Sequence, residues 1–327
     1  MEFAEHIFNL YGEHGFRELA LSIFYHQARQ NVLFREFLTA MGVNPEAVDT
    51  LEKIPFLPVS FFKTHDVICR DKEPLRIFLS SGTTGPDRSR HLIGDPALYE
   101  KSILRGFEHF YGSPEQYRFL ALVPEPQENP GSSLITMIGC LMKAGGEGRH
   151  GFYLNDFPGL HSAICEGAVE GRKIFLFGLT YALLDFAETF PGSYPDMIVM
   201  ETGGMKGKQV ELTRDELHER LCSAFSIQAI HSEYGMTELL SQAYSSGKGI
   251  FNSVPWMKVL IREVNDPLTY ADYGMAGGIN IIDLANIHSC SFLATQDLGR
   301  SYENGSFEVL GRFGDSDIRG CSLMIGD

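Results

Sequence analysis

Residues 76–90 read RIFLSSGTTGPDRSR, and the rest of the chain is best read outward from them. RIFLS (76–80) is a short apolar run of strand character that passes directly into a loop of small and hydroxylated residues. Gly82 and Gly85 permit tight turns and close backbone approach. Ser80, Ser81, Thr83 and Thr84 add hydroxyls to the backbone N–H groups, so such a loop can wrap a polyphosphate as a nest of donors. Arg88 and Arg90 supply positive charge beside it. The loop is not a Walker A sequence, since GxxxxGK[ST] is absent. Taken by itself it also fits an ordinary connector.

After Arg76, apolar runs alternate with helical spacing. YRFLALVP (117–124), KIFLFG (173–178), DMIVME (196–201) and IQAIHS (227–232) join RIFLS as expected strands. Helical patterns fall between them near Ala97–Phe110, Ser133–Lys143, Leu160–Val169, Tyr181–Phe190 and Arg214–Phe225. This alternation predicts an α/β fold of layered, mostly parallel sheets with helices. Before it, residues 1–75 carry helical spacing up to Pro45. An extended arm, IPFLPVSFFKTHDV (54–67), follows and is expected to pack on the core, its prolines disfavouring helix. Residues 76–240 form the expected nucleotide-binding core. Beyond Leu240, MKVLIREV, GGINIIDL, CSFLAT and SFEVL are short runs divided by Gly, Asn and Asp, which predicts a smaller β-rich subdomain over 241–310. Residues 311–327 remain as a hinge motif and tail.

Three further segments carry candidate chemistry. In HSEYGMTELL (231–240), Tyr234 offers a ring for base stacking, Thr237 a hydroxyl for phosphate and Glu238 a hard oxygen for Mg²⁺. The same Glu also fits a dipole-favoured helix start. TQDLGR (295–300) reads as a turn in which Asp297 can accept from ribose hydroxyls. GRFGDSDIRG (311–320) reads likewise, with Arg312 able to reach a ribose or phosphate. Glu233 reads as a surface or turn residue. His231 fits an acyl pocket and a structural role equally.

The chain has 327 residues, with 27 Lys+Arg against 42 Asp+Glu and a formal net charge of −15. That charge repels polyanions and argues against nucleic acid or an anionic membrane as partner. A nucleotide site is not excluded, because a nucleotide meets local loops. Six cysteines, with no CxxC pair, read as reduced thiols and suggest a cytoplasmic protein. Cys69, Cys140, Cys165, Cys222 and Cys290 are expected in the core. MEFAEHIFNL lacks the basic start of a secretory signal, and no apolar run approaches the roughly 20 residues of a membrane span.

SSGTTG, EYGMTE, TQDLGR and GR-x-x-D, in that order, resemble the adenylate-forming superfamily of acyl-activating enzymes. The resemblance spans residues 77–320. It implies that Ser80, Ser81, Gly82, Thr83, Thr84, Gly85 and Arg88 hold the phosphates of ATP, with Thr83 and Thr237 central to the chemistry. Tyr234 and Gly235 would lie by adenine, Glu238 would help bind Mg²⁺, and Asp297 and Arg312 would bind the ribose. Gly203 and Gly204, in METGGMKG, look like the family's glycine segment beside adenine and the acyl pocket. The implied reaction is attack of a carboxylate on the α-phosphate, giving acyl-AMP and pyrophosphate.

Two departures narrow the resemblance. The family's usual C-terminal lysine domain has no counterpart here, and PDRSR stands where a lysine normally closes the phosphate loop. Arg88 and Arg90 are the expected replacements. The tail RGCSLMIGD places Cys321 just after the GR segment, and with the arm IPFLPVSFFK it resembles the short acyl-protein synthetase branch of bacterial luminescence systems. That branch moves a fatty acyl group onto a cysteine near its C-terminus, then to a reductase partner. Arg312 or Arg319 would favour the thiolate. An acyl- or aryl-CoA ligase of the phenylacetate type and a non-catalytic nucleotide- or acyl-binding module stay open beside it.

Overall fold

Phe16, Leu19, Ala20, Ile23 and Phe24 recur at three- and four-residue intervals, and all five are buried along one helix face. They lie on α2 (Gly12–Gln30), between the short α1 (Phe3–Ile7) and α3 (Val32–Ala40). The computed structural model describes residues 3–10, 12–81, 88–148, 150–203 and 212–313. The proline arm is extended through β1 (Leu57–Pro58) but then coils into one turn, α4 (Phe61–Thr64). Both prolines lie behind that turn and so do not oppose it. Residues up to Asp71 and from Pro255 onward make one unit, and Lys72–Val254 make the other.

The second unit begins with β2 (Arg76–Leu79) and β3 (Arg90–Ile93). Then follow α5 (Pro96–Tyr111), β4 (Tyr117–Leu122), α6 (Ser133–Ala144), β5 (Gly151–Phe152) and α7 (Phe157–Glu170). Next come β6 (Lys173–Leu179), α8 (Thr180–Thr189), β7 (Ile198–Thr202) and α9 (Arg214–Phe225). β8 (His231–Tyr234), β9 (Ala243–Ser245) and β10 (Ile250–Ser253) complete it. Its sheet runs β10-β9-β8-β7-β6-β4-β5, parallel from β5 to β8 and antiparallel at β9 and β10.

Both faces of this sheet are covered, as continuous apolar strands require. On one face Leu120, Leu122, Leu176 and Val199 pack with Leu160, Leu183, Phe186, Leu221 and Phe225 from α7, α8 and α9. On the other, Phe107 of α5 meets Tyr117, Phe119 and Phe175 at ring distances of 5.6, 5.4 and 5.2 Å.

Two strands differ from expectation. β2 does not join the parallel sheet; it pairs antiparallel with β3, Arg76 opposite Ile93 and Leu79 opposite Arg90. The segment joining them is too short for a parallel crossover, which takes about a dozen residues or more. β8 begins at His231, four residues late. Ser226 is left-handed at φ 53° and Ile227 N–H returns to Cys222 O, so 226–230 are used in leaving α9.

In the first unit, β11 (Met257–Arg262), β12 (Gly277–Asp283), β13 (Phe292–Ser301) and β14 (Phe307–Arg312) form an antiparallel meander. β1 runs parallel to β13, Leu57 opposite Leu293. TQDLGR is therefore no turn: it is the second half of the ten-residue β13. Gly311 and Arg312, expected in a turn, close β14. The register slips at Leu298/Gly299, and a Cβ on Gly299 would strike the Glu308 carbonyl.

Fully buried Gln27 fastens α2 to the loop between β12 and β13. Its Nε2 donates to Asn286 O at 2.9 Å and Ile287 O at 3.1 Å, and Ser291 N–H donates to its Oε1 at 3.0 Å. Asn31 Nδ2 adds a bond to Ser289 O at 2.9 Å. Gln27→Ala would strand these groups in the interior, and denaturant unfolding should show a loss of about 2–4 kcal/mol. A loss near zero would show that the loop is held by packing instead.

Candidate active site

The loop between β2 and β3 is closed at its base. Ser80 N–H donates to Ser89 O at 3.1 Å, and Ser89 N–H donates to Ser80 Oγ at 3.0 Å. These two bonds close the β2–β3 hairpin where the loop leaves it. Ser81 is exposed, Arg88 half-buried and Arg90 exposed on β3. Gly82, Thr83, Thr84 and Gly85 lie outside the described residues, as do Gly204, Arg319 and Cys321.

His91 had no signal in the sequence beyond being a polar residue between two strand residues. It is fully buried on β3, and its Nδ1 is 2.8 Å from Thr237 O. A carbonyl only accepts, so the proton is on Nδ1. The hairpin that carries the loop is thereby tied to the YGMTE segment. Thr237 is half-buried there, and Glu238 is buried at 6% exposure. Leu239 N–H returns to Met236 O, closing the turn that aims both residues. Tyr234, last in β8, packs its ring 6.0 Å from Phe251, and Gly235 after it is exposed. A buried carboxylate next to a tethered hydroxyl suits a hard cation and its phosphate.

Gly203 follows β7 at φ +77°, in open space and exposed. Thr180 Oγ1 fixes it by donating to its carbonyl at 2.8 Å. Thr180 is also 3.4 Å from Glu201 Oε2, and His218 Nε2 is 3.9 Å from Glu201 Oε1. Glu201 was visible in the sequence as the charge that ends an apolar run, a signal the motif reading passed over. Thr180 and Gly203 stand just past the carboxyl ends of β6 and β7, where open α/β sheets bind ligands.

Glu233 is not a surface or turn residue. It lies within β8, opposite Thr202 on β7 and Tyr244 on β9. Burial, and then the charge of Glu201, push its carboxyl up to about 8. His231 is held by Tyr111, Oη to Nδ1 at 3.0 Å, and burial pushes its pKa down. Of the cysteines expected in the core, Cys69 and Cys290 are buried and Cys140 and Cys222 intermediate. Cys165 is exposed, on the outer side of α7.

In the other unit, Asp297 and Arg312 are register partners across β13 and β14. Arg312 Nε donates to Asp297 Oδ1 at 3.0 Å, with the arginine side chain 63% exposed and the aspartate 10%. An ion pair this open contributes about 0–1 kcal/mol, so a ribose or phosphate competes readily for either partner. Among the described residues no helix is long and apolar enough to cross a membrane.

The raised Glu233 carboxyl has a consequence for stability. Its ordinary value is 4.5 and its folded value about 8, so between these the native chain holds a proton that the unfolded chain has released. Stability from this group is complete below the lower value and is lost as pH rises through the upper one. Unfolding midpoints measured across that range should fall with pH in the wild type and fall less in Glu233→Gln. Equal slopes would mean that Glu233 is ionised in the fold.

No protein-family model matches the chain. It is 25% identical over 325 residues to the long-chain-fatty-acid–luciferin-component ligase of Vibrio harveyi, covering 89% of this chain and 82% of that one. Among solved structures, ATP-bound MatB from Rhodopseudomonas palustris aligns with a TM-score of 0.55 at 16% identity, over 72% of this chain and 47% of MatB. 2-Hydroxyisobutyryl-CoA ligase in the postadenylation state aligns at 0.68 and 10% identity, over 92% and 68%. O-succinylbenzoate coenzyme A synthetase from Bacillus subtilis, in complex with ATP and magnesium, aligns at 0.54 and 16%, over 74% and 50%. The chain thus spans about half the length of MatB and of the Bacillus enzyme. At these identities the solved structures fix the fold alone. The fold is the one these solved structures share, and the sequence is similar to that of the Vibrio ligase.

Proposed function

We propose that the chain is an acyl-activating ligase that joins a carboxylic acid, of the fatty type, to AMP at the expense of ATP. The observation that carries this reading is the His91–Thr237 bond, which fastens the polyphosphate-loop hairpin to the segment bearing Tyr234, Thr237 and Glu238. Ser80 and Ser81 at the mouth of the loop would donate to phosphate oxygens, and Thr237 would add a hydroxyl. Tyr234 would lie along the adenine, and Asp297 with Arg312 would hold the ribose. Glu238 fits a Mg²⁺ ion, which when bound would neutralise phosphate charge. The acid's carboxylate oxygen attacks the α-phosphorus, the bond to the bridging oxygen breaks, and pyrophosphate leaves. Such chemistry depends on in-line placement and charge neutralisation, with no proton-transfer dyad.

The second half-reaction moves the acyl group to a thiol. Cys321 is the proposed acceptor: its thiolate attacks the acyl carbonyl, a thioester forms, the thiol proton goes to solvent and AMP departs. A partner protein would then receive the acyl group. The Vibrio relative is named for a long-chain fatty acid and a luciferin component, and it supports the fatty acid here. The cellular place consistent with this is the cytoplasm.

Acid-dependent ATP–pyrophosphate exchange across a panel of carboxylic acids tests activation. Long-chain acids should support exchange, and Asp297→Ala should lower kcat/KM for ATP by about 10–100-fold, the worth of lost charge-assisted bonds. Absence of exchange with bound ATP would make the chain a binding module. With labelled acid, a hydroxylamine-sensitive label should remain on the protein and vanish in Cys321→Ser. Persistence of the label sinks the cysteine assignment, and CoA-dependent AMP release in that variant points to a CoA ligase.

A further inference from the structure

Cys69 N–H donates to His288 O at 2.8 Å, and Arg70 N–H donates to Gln30 O at 2.9 Å. With the antiparallel bridge between Asn31 and Cys69, these bonds lay residues 69–71 against the end of α2. His26 is on that helix, one turn before Gln30. All of these residues belong to the unit that runs up to Asp71 and resumes at Pro255. The docking brings three metal-ligating side chains to one place. A ring nitrogen of His26, Cys69 Sγ and a carboxylate oxygen of Asp71 all lie within 4.8 Å of one another.

Atoms so spaced always leave a point no more than about 2.8 Å from each, the corner-to-centre distance of an equilateral triangle of that side. Zinc bonds to sulfur, imidazole nitrogen and carboxylate oxygen are about 2.0–2.3 Å long, so side-chain shifts of less than about 1 Å complete all three. Burial is graded across the set: Cys69 is fully buried, His26 half-buried and Asp71 exposed. An ion can therefore enter past Asp71 and be held from within by the sulfur. No sequence spacing marks the group, because His26 lies on a helix far before Cys69 and Asp71.

The donor set selects the ion. Mg²⁺ and Ca²⁺ take oxygen ligands, and one carboxylate does not make such a cage. A thiolate beside an imidazole suits Zn²⁺, and three protein ligands leave its fourth tetrahedral position to water. Binding displaces the Cys69 proton, which goes to solvent. The thiol gives up little for this. Its contacts to Ile287 O and Ser289 O are long, at 3.6 and 3.9 Å, and S–H is a weak donor.

We propose that His26, Cys69 and Asp71 form a zinc site that clamps residues 69–71 to α2. The site stands apart from the acyl-activating reading and from the Mg²⁺ ion placed at Glu238, and neither is needed for its test.

The full chain, freed of metal with a chelator, is titrated with Co²⁺ as a spectroscopic probe and then with Zn²⁺. One Co²⁺ should bind per chain, with a thiolate-to-cobalt charge-transfer band and tetrahedral visible bands. Zn²⁺ should displace it and Mg²⁺ should not. Cys69→Ser should abolish the charge-transfer band. Asp71→Asn and His26→Gln should each weaken zinc binding by about 100-fold or more, since loss of a ligand's supporting partner already costs about 10–100-fold. Asp71 is exposed, so its replacement spares the core and decides the matter even if Cys69→Ser unfolds. Cys165→Ser, which removes an exposed thiol 3.8 Å from His161, should leave spectrum and affinity unchanged. Zn²⁺ should also raise the thermal unfolding midpoint of the wild type and not that of Asp71→Asn. A wild type without the charge-transfer band, a band that survives Cys69→Ser or vanishes in Cys165→Ser, or unchanged zinc affinity in Asp71→Asn overturns the site.

Discussion

The hydrogen bond from His91 Nδ1 to Thr237 O organises the α/β unit around one end of its sheet. A two-stranded hairpin is marginal by itself, and among the described residues β2–β3 has no strand neighbour beyond that pair. Its position therefore depends on what it is fastened to. Leu79 N–H adds a second tie, donating to Gly131 O at 2.8 Å just before α6. Because His91 is fully buried, its bond is sheltered from water, and losing it would strand both an imidazole N–H and a carbonyl. The loop between Ser80 and Ser89 thus starts from a fixed base.

The same unit places charge and polarity unevenly across β7 and β8. Glu201 faces Thr180 and His218, while Glu233 shares its face with the tyrosines of α5 and β9. Burial first, and then the charge of Glu201, raise the Glu233 carboxyl above its usual range. In the β-rich unit, the corresponding design is simpler: ladder register alone sets Asp297 opposite Arg312, and Gln27 and Asn31 hold the frame that keeps the ladder in place.

Much of this was legible in the residues. Helices α5 to α9 lie where the apolar spacing put them, and α9 coincides with Arg214–Phe225. Long periodic segments with clear caps, such as Asp95 before α5 and Thr213 before α9, leave little freedom. TQDLGR misled because Asp and Gly are turn formers, yet the bulge at Gly299 admits a glycine inside a strand. Glu233 misled because a lone charge next to a turn motif has no local mark of burial. Its environment includes Tyr244 on the next strand and Tyr99 and Glu201, which are far away in sequence.

The sequence by itself determined the order of elements, the parallel α/β core, and four motifs whose succession resembles that of the acyl-activating enzymes. Those are local: periodicity, glycine placement and hydroxyl content are properties of neighbouring residues. Only the tertiary structure decided that β2 pairs with β3 and not with the main sheet, that residues up to Asp71 share a unit with those from Pro255 on, and that Glu233 and Tyr244 meet. The reason is physical. Pairing, burial and proton affinity depend on which distant side chains surround a group, and that is fixed when the sheet forms, not by the residues on either side.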